Sequence, residues 1–431
     1  MVRLLTLLLF FLPLVCYSQV QVVGTGSERG EFLGDVGSGW IMGMEVEDAE
    51  MAEGKFLVVA FEGQEGMESW SLMGEAPMAL NGLLQFQGDA IVLGEQYLEN
   101  GRESLLMAAL NRDGLVGEVV AFNENGNELE GLDATVVGDG IWVTGFAKTG
   151  EGISNGFAIV TVETRHVYLG RYNAELKKEV SYVMSGLDED AESTGRQLVS
   201  TSGSLFLAGN SVKDGVSSVF AAKADTQGQL VWSRRLAAEG SLGVSEMIAV
   251  NDELWLWMTR ESSGQGNVVL VRMNQEGFLL SSQEFEMEGM GRSGHGVVMG
   301  NGDVVLNGVV GPDRFRTRRF ALHKAKGGNW RWAIQGDGLT NECGLLVAKE
   351  GVAHEFGHEF TPGAGYDPVW RMWDPSDESQ GWKGVSADAV SIEMSPLELT
   401  LDPFPAGQGW VDSELIKKPI RVAPYEGLRC E

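Results

Sequence analysis

The sharpest chemical signature in the chain is His354-Glu355-Phe356-Gly357-His358. It has the form His-Glu-x-x-His, in which two imidazoles hold a zinc ion and the glutamate activates water. That chemistry needs a helix, where residues four apart share a face. Here the segment Gly351-Val352-Ala353-His354-Glu355-Phe356-Gly357 overlays Gly302-Asp303-Val304-Val305-Leu306-Asn307-Gly308 without a gap, and the latter alternates as a strand. On a strand the two histidines face one way but lie about 13 Å apart, at ~3.3 Å per residue. Zinc to nitrogen is about 2.1 Å, so one ion does not readily hold both. No histidine follows His358, and a distant carboxylate such as Glu378 would have to complete the site. A zinc peptidase using His354, Glu355 and His358 is therefore kept only as an alternative. No catalytic, metal or cofactor-binding residue is assigned, and no cofactor is expected.

Other chemistry is less specific. Acidic residues number 61, so no carboxylate pair stands out as an acid and base. Asp188, Glu189 and Asp190 could meet calcium but lack the alternating Asp spacing of a defined loop. Of twelve tryptophans, Trp70, Trp232 and Trp332 fall at a repeat mark and read as core, while Trp255, Trp257, Trp370 and Trp373 are freer to stack on a ligand. No nucleophile elbow, phosphate loop or dinucleotide fingerprint occurs in a strand-to-helix context.

The first residues, Met1-Val2-Arg3 and then Leu4 to Val15, read as a secretory signal cut after Ser18. Acylation of Cys16 is the weaker reading, because Val15 is not small. Export to the periplasm, outer surface or medium follows. No later apolar stretch is long enough for a membrane helix. In that oxidising setting Cys343 and Cys430 form an even pair, expected to bridge and to tie the tail to the body. The net charge is −29, which repels phosphate backbones and disfavours nucleic acid. Arg314, Arg316, Arg318 and Arg319 are a local exception, read as partners for the chain's own carboxylates.

The elements that must position these residues repeat about every 50 residues. A short alternating strand ends at Gly43, Gly94, Gly145, Gly209, Met258, Gly308 and Gly357, in steps of 51, 51, 64, 49, 50 and 49. A second mark is glycine followed four residues later by tryptophan: Gly66 to Trp70, Gly228 to Trp232 and Gly328 to Trp332. Degenerate copies lie at Gly114, at Gly277 and near Arg165 to Arg171, and Trp382 extends the series. The long step is read as an acidic insertion around Asp188 to Glu192. Each unit runs strand, glycine turn, strand, loop, strand, turn, strand, which is the pattern of a propeller blade.

The segment Ala224-Asp225-Thr226-Gln227-Gly228-Gln229-Leu230-Val231-Trp232 resembles the repeat of bacterial exported β-propellers of the quinoprotein-like and WD40-like kind. The resemblance spans roughly residues 30–385 and implies a tryptophan docked on a neighbouring blade. None of the quinoprotein cofactor or calcium ligands can be matched, so it implies fold and not activity.

The expectation is an all-β propeller of about seven four-stranded blades, eight if the tail adds one. The ring would be closed by both chain ends, with strands in 30–47 joining strands in 366–401. The boundaries are a signal at 1–18, the propeller at 19–384 and a tail at 385–431. In the tail, Val390 to Met394 and Leu397 to Leu401 read as a strand pair. The expected function is binding or scaffolding of a protein or glycan at the cell envelope. The alternative is a hydrolase, through the zinc motif or through glycosidase carboxylates in the central channel.

Overall fold

The computed structural model describes the backbone of residues 20–21 and, within 27–416, of all but 36–38, 48–54, 63–66, 75–77, 98–102, 111–115, 123–127, 155–158, 188–190, 288, 314, 336–338, 341–342, 362–364, 405–409 and 412–414. Within that backbone, side chains are described in 81–96, 104–110, 128–148, 164–360 and 369–404, Trp370 excepted. The signal segment, the acidic residues 188–190 and Cys430 lie outside the described residues.

The all-β propeller expected from the repeat is present, with six full blades where about seven were expected. Six blades begin at Ser27, Met78, Glu128, Glu192, Ser241 and Met290, and each is an antiparallel run of four consecutive strands. The fifth blade, for example, comprises Ser241–Val250, Glu253–Ser262, Gln265–Asn274 and Leu279–Phe285. A further sheet holds Leu345–Lys349, Val352–Thr361 and Gly365–Trp373. The inner strands touch in sequence, and Leu345–Lys349 packs against both Met290–Val298 and Ser27–Asp35, so the ring closes.

Two expectations about the ends are corrected. Residues 30–47 do not join the last sheet; they are the first and second strands of the first blade. Closure instead uses Val20–Gln21, which pairs with Val369 and Trp370. Nor are the blades four-stranded. The chain after Trp373 runs backwards around the rim and adds a fifth strand to each of the six blades: Lys383–Gly384 to the sixth, Ala387–Ala389 to the fifth, Glu393–Pro396 to the fourth and Thr400–Pro403 to the third. Trp410–Val411 and Leu415–Ile416 do the same for the second and first. The two tail segments read as a strand pair thus lie on different blades, and among the described residues there is no eighth sheet. The fourth strand of a blade offers an unpaired edge, and pairing it removes an aggregation hazard.

This belt has a period of its own. Val390, Leu397 and Phe404, seven apart, donate their N–H groups to the carbonyls of Ser282, Ser233 and Ser181 at 3.4, 3.2 and 3.0 Å. Between pairings the belt drops an apolar side chain into five of the seams. Trp382 fills the seam between the sixth blade and the closing sheet, and Val385 and Ala387 that between the fifth and sixth. Ile392 follows between the fourth and fifth, Leu399 between the third and fourth, and Phe404 between the second and third.

The recurrent glycine has a steric cause. Six inner strands carry a register shift at about the same height, at Gly30/Phe32, Leu80/Gly82, Gly131/Asp133, Gly195/Gln197, Val244/Glu246 and Ser293/Gly296. The bulge pushes a carbonyl towards the second strand. A Cβ at Gly145, Gly209 or Gly308 would meet the carbonyl oxygen of Glu130, Thr194 or Arg292 at 1.9, 2.2 or 2.5 Å.

The Asp–Gly turn is equally specific. The Asp225 carboxylate accepts the N–H groups of Gln227 and Gln229 at 2.9 and 2.8 Å, and Gly228 turns with φ 82°. Asn274 and Asn173 cap the same turn in the fifth and third blades. In the third blade the glycine place is taken by Leu176, at φ 54°, and the fourth strand is Lys178–Ser185. The degenerate copy therefore lies beyond Arg171, where Val180 holds the tryptophan place by register and Tyr182 lies beside Gly228 of the next blade. The long step also has another source. Gly145 faces Tyr168, 23 residues on, where Gly209 faces Phe220, 11 residues on, so an extended hairpin projects from the third blade.

Candidate functional site

Because neighbouring strands are antiparallel, each blade has two ends. One carries the turns between first and second and between third and fourth strands. The other carries the turns between second and third strands and the crossings to the next blade. Three places could hold function: the wall of the central channel, the His-Glu motif, and this second end.

The channel wall is built at the bulges. In the second blade the Asn81 amide donates to the Gly131 carbonyl of the third at 2.7 Å. Asp133, just past the third blade's bulge, accepts the N–H of Ala134 at 2.8 Å and of Leu198 in the fourth blade at 2.6 Å. Gln197 donates to the Ser245 carbonyl of the fifth blade at 2.9 Å. From there the Ser245 and Ser293 hydroxyls are 2.6 Å apart, and Glu246 meets His295 Nδ1 at 3.0 Å. The His295 N–H reaches Asn307 Oδ1 at 2.5 Å, and the Asn307 amide donates to Gly344 at 2.8 Å. A line of hydrogen bonds therefore passes from blade to blade around most of the axis.

The charges in this wall are perturbed. Asp133 is pushed up to about 8, first because protein surrounds it and then because Glu246 shares the channel; its two backbone N–H partners pull the other way. Burial also lowers Arg196 at the fourth blade's bulge, with Glu130 opposing and Arg165 adding to the effect. A protonated carboxyl opposite a second carboxylate is the electrostatic pattern of an acid and base pair. Here, however, both oxygens of Asp133 already accept backbone N–H groups.

His354, Glu355 and His358 lie on the strand Val352–Thr361, as the repeat register requires, and not on a helix. All three are buried. Glu355 takes the Gly344 N–H at 3.1 Å and the Trp373 indole N–H at 2.7 Å, and it faces Arg319 of the sixth blade at 3.3 Å. Arg319 also donates to the His358 carbonyl at 2.5 Å. Arg371, directly across the ladder from Glu355, pairs with Glu359. Its pKa is lowered to about 10 by burial and by Arg319, with Glu355 opposing. The glutamate that would activate water is thus committed to two N–H donors and a buried guanidinium.

Of the tryptophans thought free to meet a ligand, Trp255, Trp257 and Trp373 are enclosed, and the Trp370 side chain lies outside the described residues. Trp255 packs on Trp330, Trp257 donates to the Asn307 carbonyl, and Trp373 is held by Glu355. Trp232 does dock on the next blade: its indole N–H reaches the Gln275 carbonyl at 2.9 Å beside Gly277. In the sixth blade the more deeply buried ring is Trp330, which packs on Phe285 of the fifth, and not Trp332.

Exposed apolar residues occur at both ends: Phe278 and Leu280 of the fifth blade are at the first, and those at the second are spread over several sheets. Val212 and Val216 in the fourth blade, Phe315 in the sixth and Phe360 in the closing sheet are exposed there, and the long hairpin of the third blade projects from the same end. Sequence reasoning passed over these four residues because single apolar residues near turns carry no periodic signal.

No protein-family model matches the chain, and no curated protein sequence does. Among solved structures it is similar to a mutant of NanB sialidase from Streptococcus pneumoniae, at TM-score 0.42 and 7% identity over 81% of this chain and 70% of that one. It is similar also to Drosophila Plexin A in complex with Semaphorin 1b, at 0.42 and 8% over 82% and 86%. A third is the β-1,2-mannobiose phosphorylase of Listeria innocua, at 0.31 and 11% over 71% and 92%. The class defined by the fold itself is the β-propeller.

Proposed function

We propose that the chain is an exported propeller whose four-stranded closing sheet is its seventh blade, and that it binds or scaffolds a protein or glycan at the cell envelope. Docking uses the end that carries the second-to-third-strand turns. The observation that carries this reading is a contrast. Among the described residues, polar groups of the channel wall hydrogen-bond to one another from blade to blade, whereas Phe315, 70% exposed, Phe360, Val216 and the projecting hairpin stand out at one end. Exposed aromatic side chains above a rigid scaffold are what a docking surface needs. The apolar leader supports export, and the net charge of −29 argues against nucleic acid.

Affinity capture from the native envelope tests this. One stoichiometric partner should be recovered, and it should be lost when Phe315 and Phe360 are both changed to Ser. Equal recovery by that variant would contradict the reading.

A second reading, a glycosidase in the channel, rests on the raised Asp133 beside Glu246. It requires turnover of a sugar panel that Asp133→Asn and Glu246→Gln each abolish.

A further inference from the structure

The turn 312–318 of the sixth blade departs from the character of the rest of the chain. Acidic residues outnumber basic ones 61 to 32, yet Pro312-Asp313-Arg314-Phe315-Arg316-Thr317-Arg318 carries three arginines against one aspartate. Phe315 at its tip is 70% exposed, the highest value for a large apolar residue among the described residues, and Arg316 and Arg318 are exposed beside it.

Arg314 lies outside the described residues, and the described part of the tip is tied to Asp313. The Asp313 carboxylate accepts the N–H groups of Phe315 and Arg316, both at 3.0 Å, and grips the Arg316 guanidinium at 2.8 and 2.6 Å. Its root is fixed on the other side. Thr317 is buried, its hydroxyl donates to the Thr340 carbonyl, and its own carbonyl takes the Thr340 N–H at 3.1 Å. The same crossing segment reaches the closing sheet, where Leu339 takes the Phe360 N–H at 2.8 Å. Phe360, also exposed, therefore stands across that segment from the turn. An apolar anchor that is already ordered loses little freedom on binding.

We infer that this turn is the anchor of the docking end and that its partner is an acidic protein segment, with an apolar side chain set between Asp or Glu residues. The inference rests on the binding reading above and specifies its chemistry. Arginine and aromatic residues together are the usual composition of an interface hot spot. A neutral sugar would leave the exposed arginine charge of the turn without a counter-ion. Polyanions of high charge density, such as nucleic acid or an anionic membrane, would face the repulsion of the whole acidic body. A short acidic segment meets mainly the local arginines, since charges beyond about 10 Å are screened at moderate salt.

The test is selection of a display library of short random peptides on the full folded chain, followed by titration of the winners against variants. The expected winners carry an apolar residue flanked by Asp or Glu. Phe315→Ala should weaken them about tenfold or more, the loss typical of a hot spot. Arg318→Ala should weaken them less and flatten their salt dependence. Both side chains are exposed, so an unchanged melting curve shows that the variants fold. Winners that are neutral or basic, or that bind Phe315→Ala as tightly as the parent, overturn the inference. If such winners lose affinity when the long hairpin of the third blade is shortened, the binding reading survives and only the anchor is wrong. A selection with no winners, alongside a failed envelope capture, counts against both.

Discussion

Along the axis, neighbouring blades are joined by side chains that hydrogen-bond across the seams, from Asn81 to Gly131, Leu198 to Asp133, Gln197 to Ser245 and Asn307 to Gly344. At the rim the same seams are filled by Trp382 and then, at seven-residue intervals, by Val390, Leu397 and Phe404, all from one tail. The two regions do one job by opposite means. A hydrogen bond is directional, so each inner seam needs its own donor and acceptor, and the residue types differ from blade to blade. Apolar packing is non-directional, so one seven-residue pattern serves several rim seams. The buried charges between the sixth blade and the closing sheet are a third device, found where the ring shuts.

Breaking that third device should cost most. Glu355→Ala leaves Arg319 and Arg371 buried with less compensation, and should destabilise by about 3–5 kcal/mol in denaturant titration. A loss below about 1 kcal/mol would mean the pair adds nothing to closure. At the rim, Phe404→Ala should cost about 3 kcal/mol by emptying the seam between the second and third blades. A change confined to the tail, with the ring's unfolding midpoint unmoved, would show that the belt is a passenger.

On the inner wall the expected effect depends on pH. Asp133 holds its proton up to about 8 in the folded chain and only to its ordinary 3.8 when unfolded. Between those values the unfolded chain has fewer protons bound, so this residue makes stability fall as pH rises, and its effect levels off above pH 8. Relative to Asp133→Asn, the parent should lose on the order of 1–3 kcal/mol across that window, allowing for partial exposure to the channel. Parallel pH curves for the two proteins would place Asp133 in a more hydrated setting. The smallest effect belongs to the turns: Asp225→Ala removes two carboxylate caps and should cost about 1 kcal/mol, visible as a small shift in melting temperature.

How much of this was legible follows the same division. The glycine mark could be read because a carbonyl leaves no room for a side chain at Gly145, Gly209 and Gly308, although the fifth blade holds Met258 at the same place. The strand at His354 to His358 could be read because it inherits that register. The third blade's turn could not, since Leu176 accepts a left-handed backbone that normally favours glycine. The belt strands are two to four residues long, too short for alternation, and they are strands only because a blade edge pairs them. Their spacing, Val390, Leu397, Phe404 and the prolines Pro396 and Pro403, was visible in the sequence but falls outside the 50-residue period. The channel wall was least legible, because a bulge switches the parity of the strand and the residues it exposes share no type.

The inner strands are secured mainly from the axis by the polar seams, and the belt stabilises the ring chiefly through its outer strands. Hydrogen exchange on the full chain and on a chain ending at Gln380 tests this most directly. In the shortened chain the fourth strands Lys178–Ser185, Leu230–Ala237 and Leu279–Phe285 should lose protection, while amides of the inner strands, such as Leu198 and Val244, stay slow. Inner-strand amides that exchange as fast as those of the fourth strands would contradict it, and would make the belt the element on which the whole ring depends.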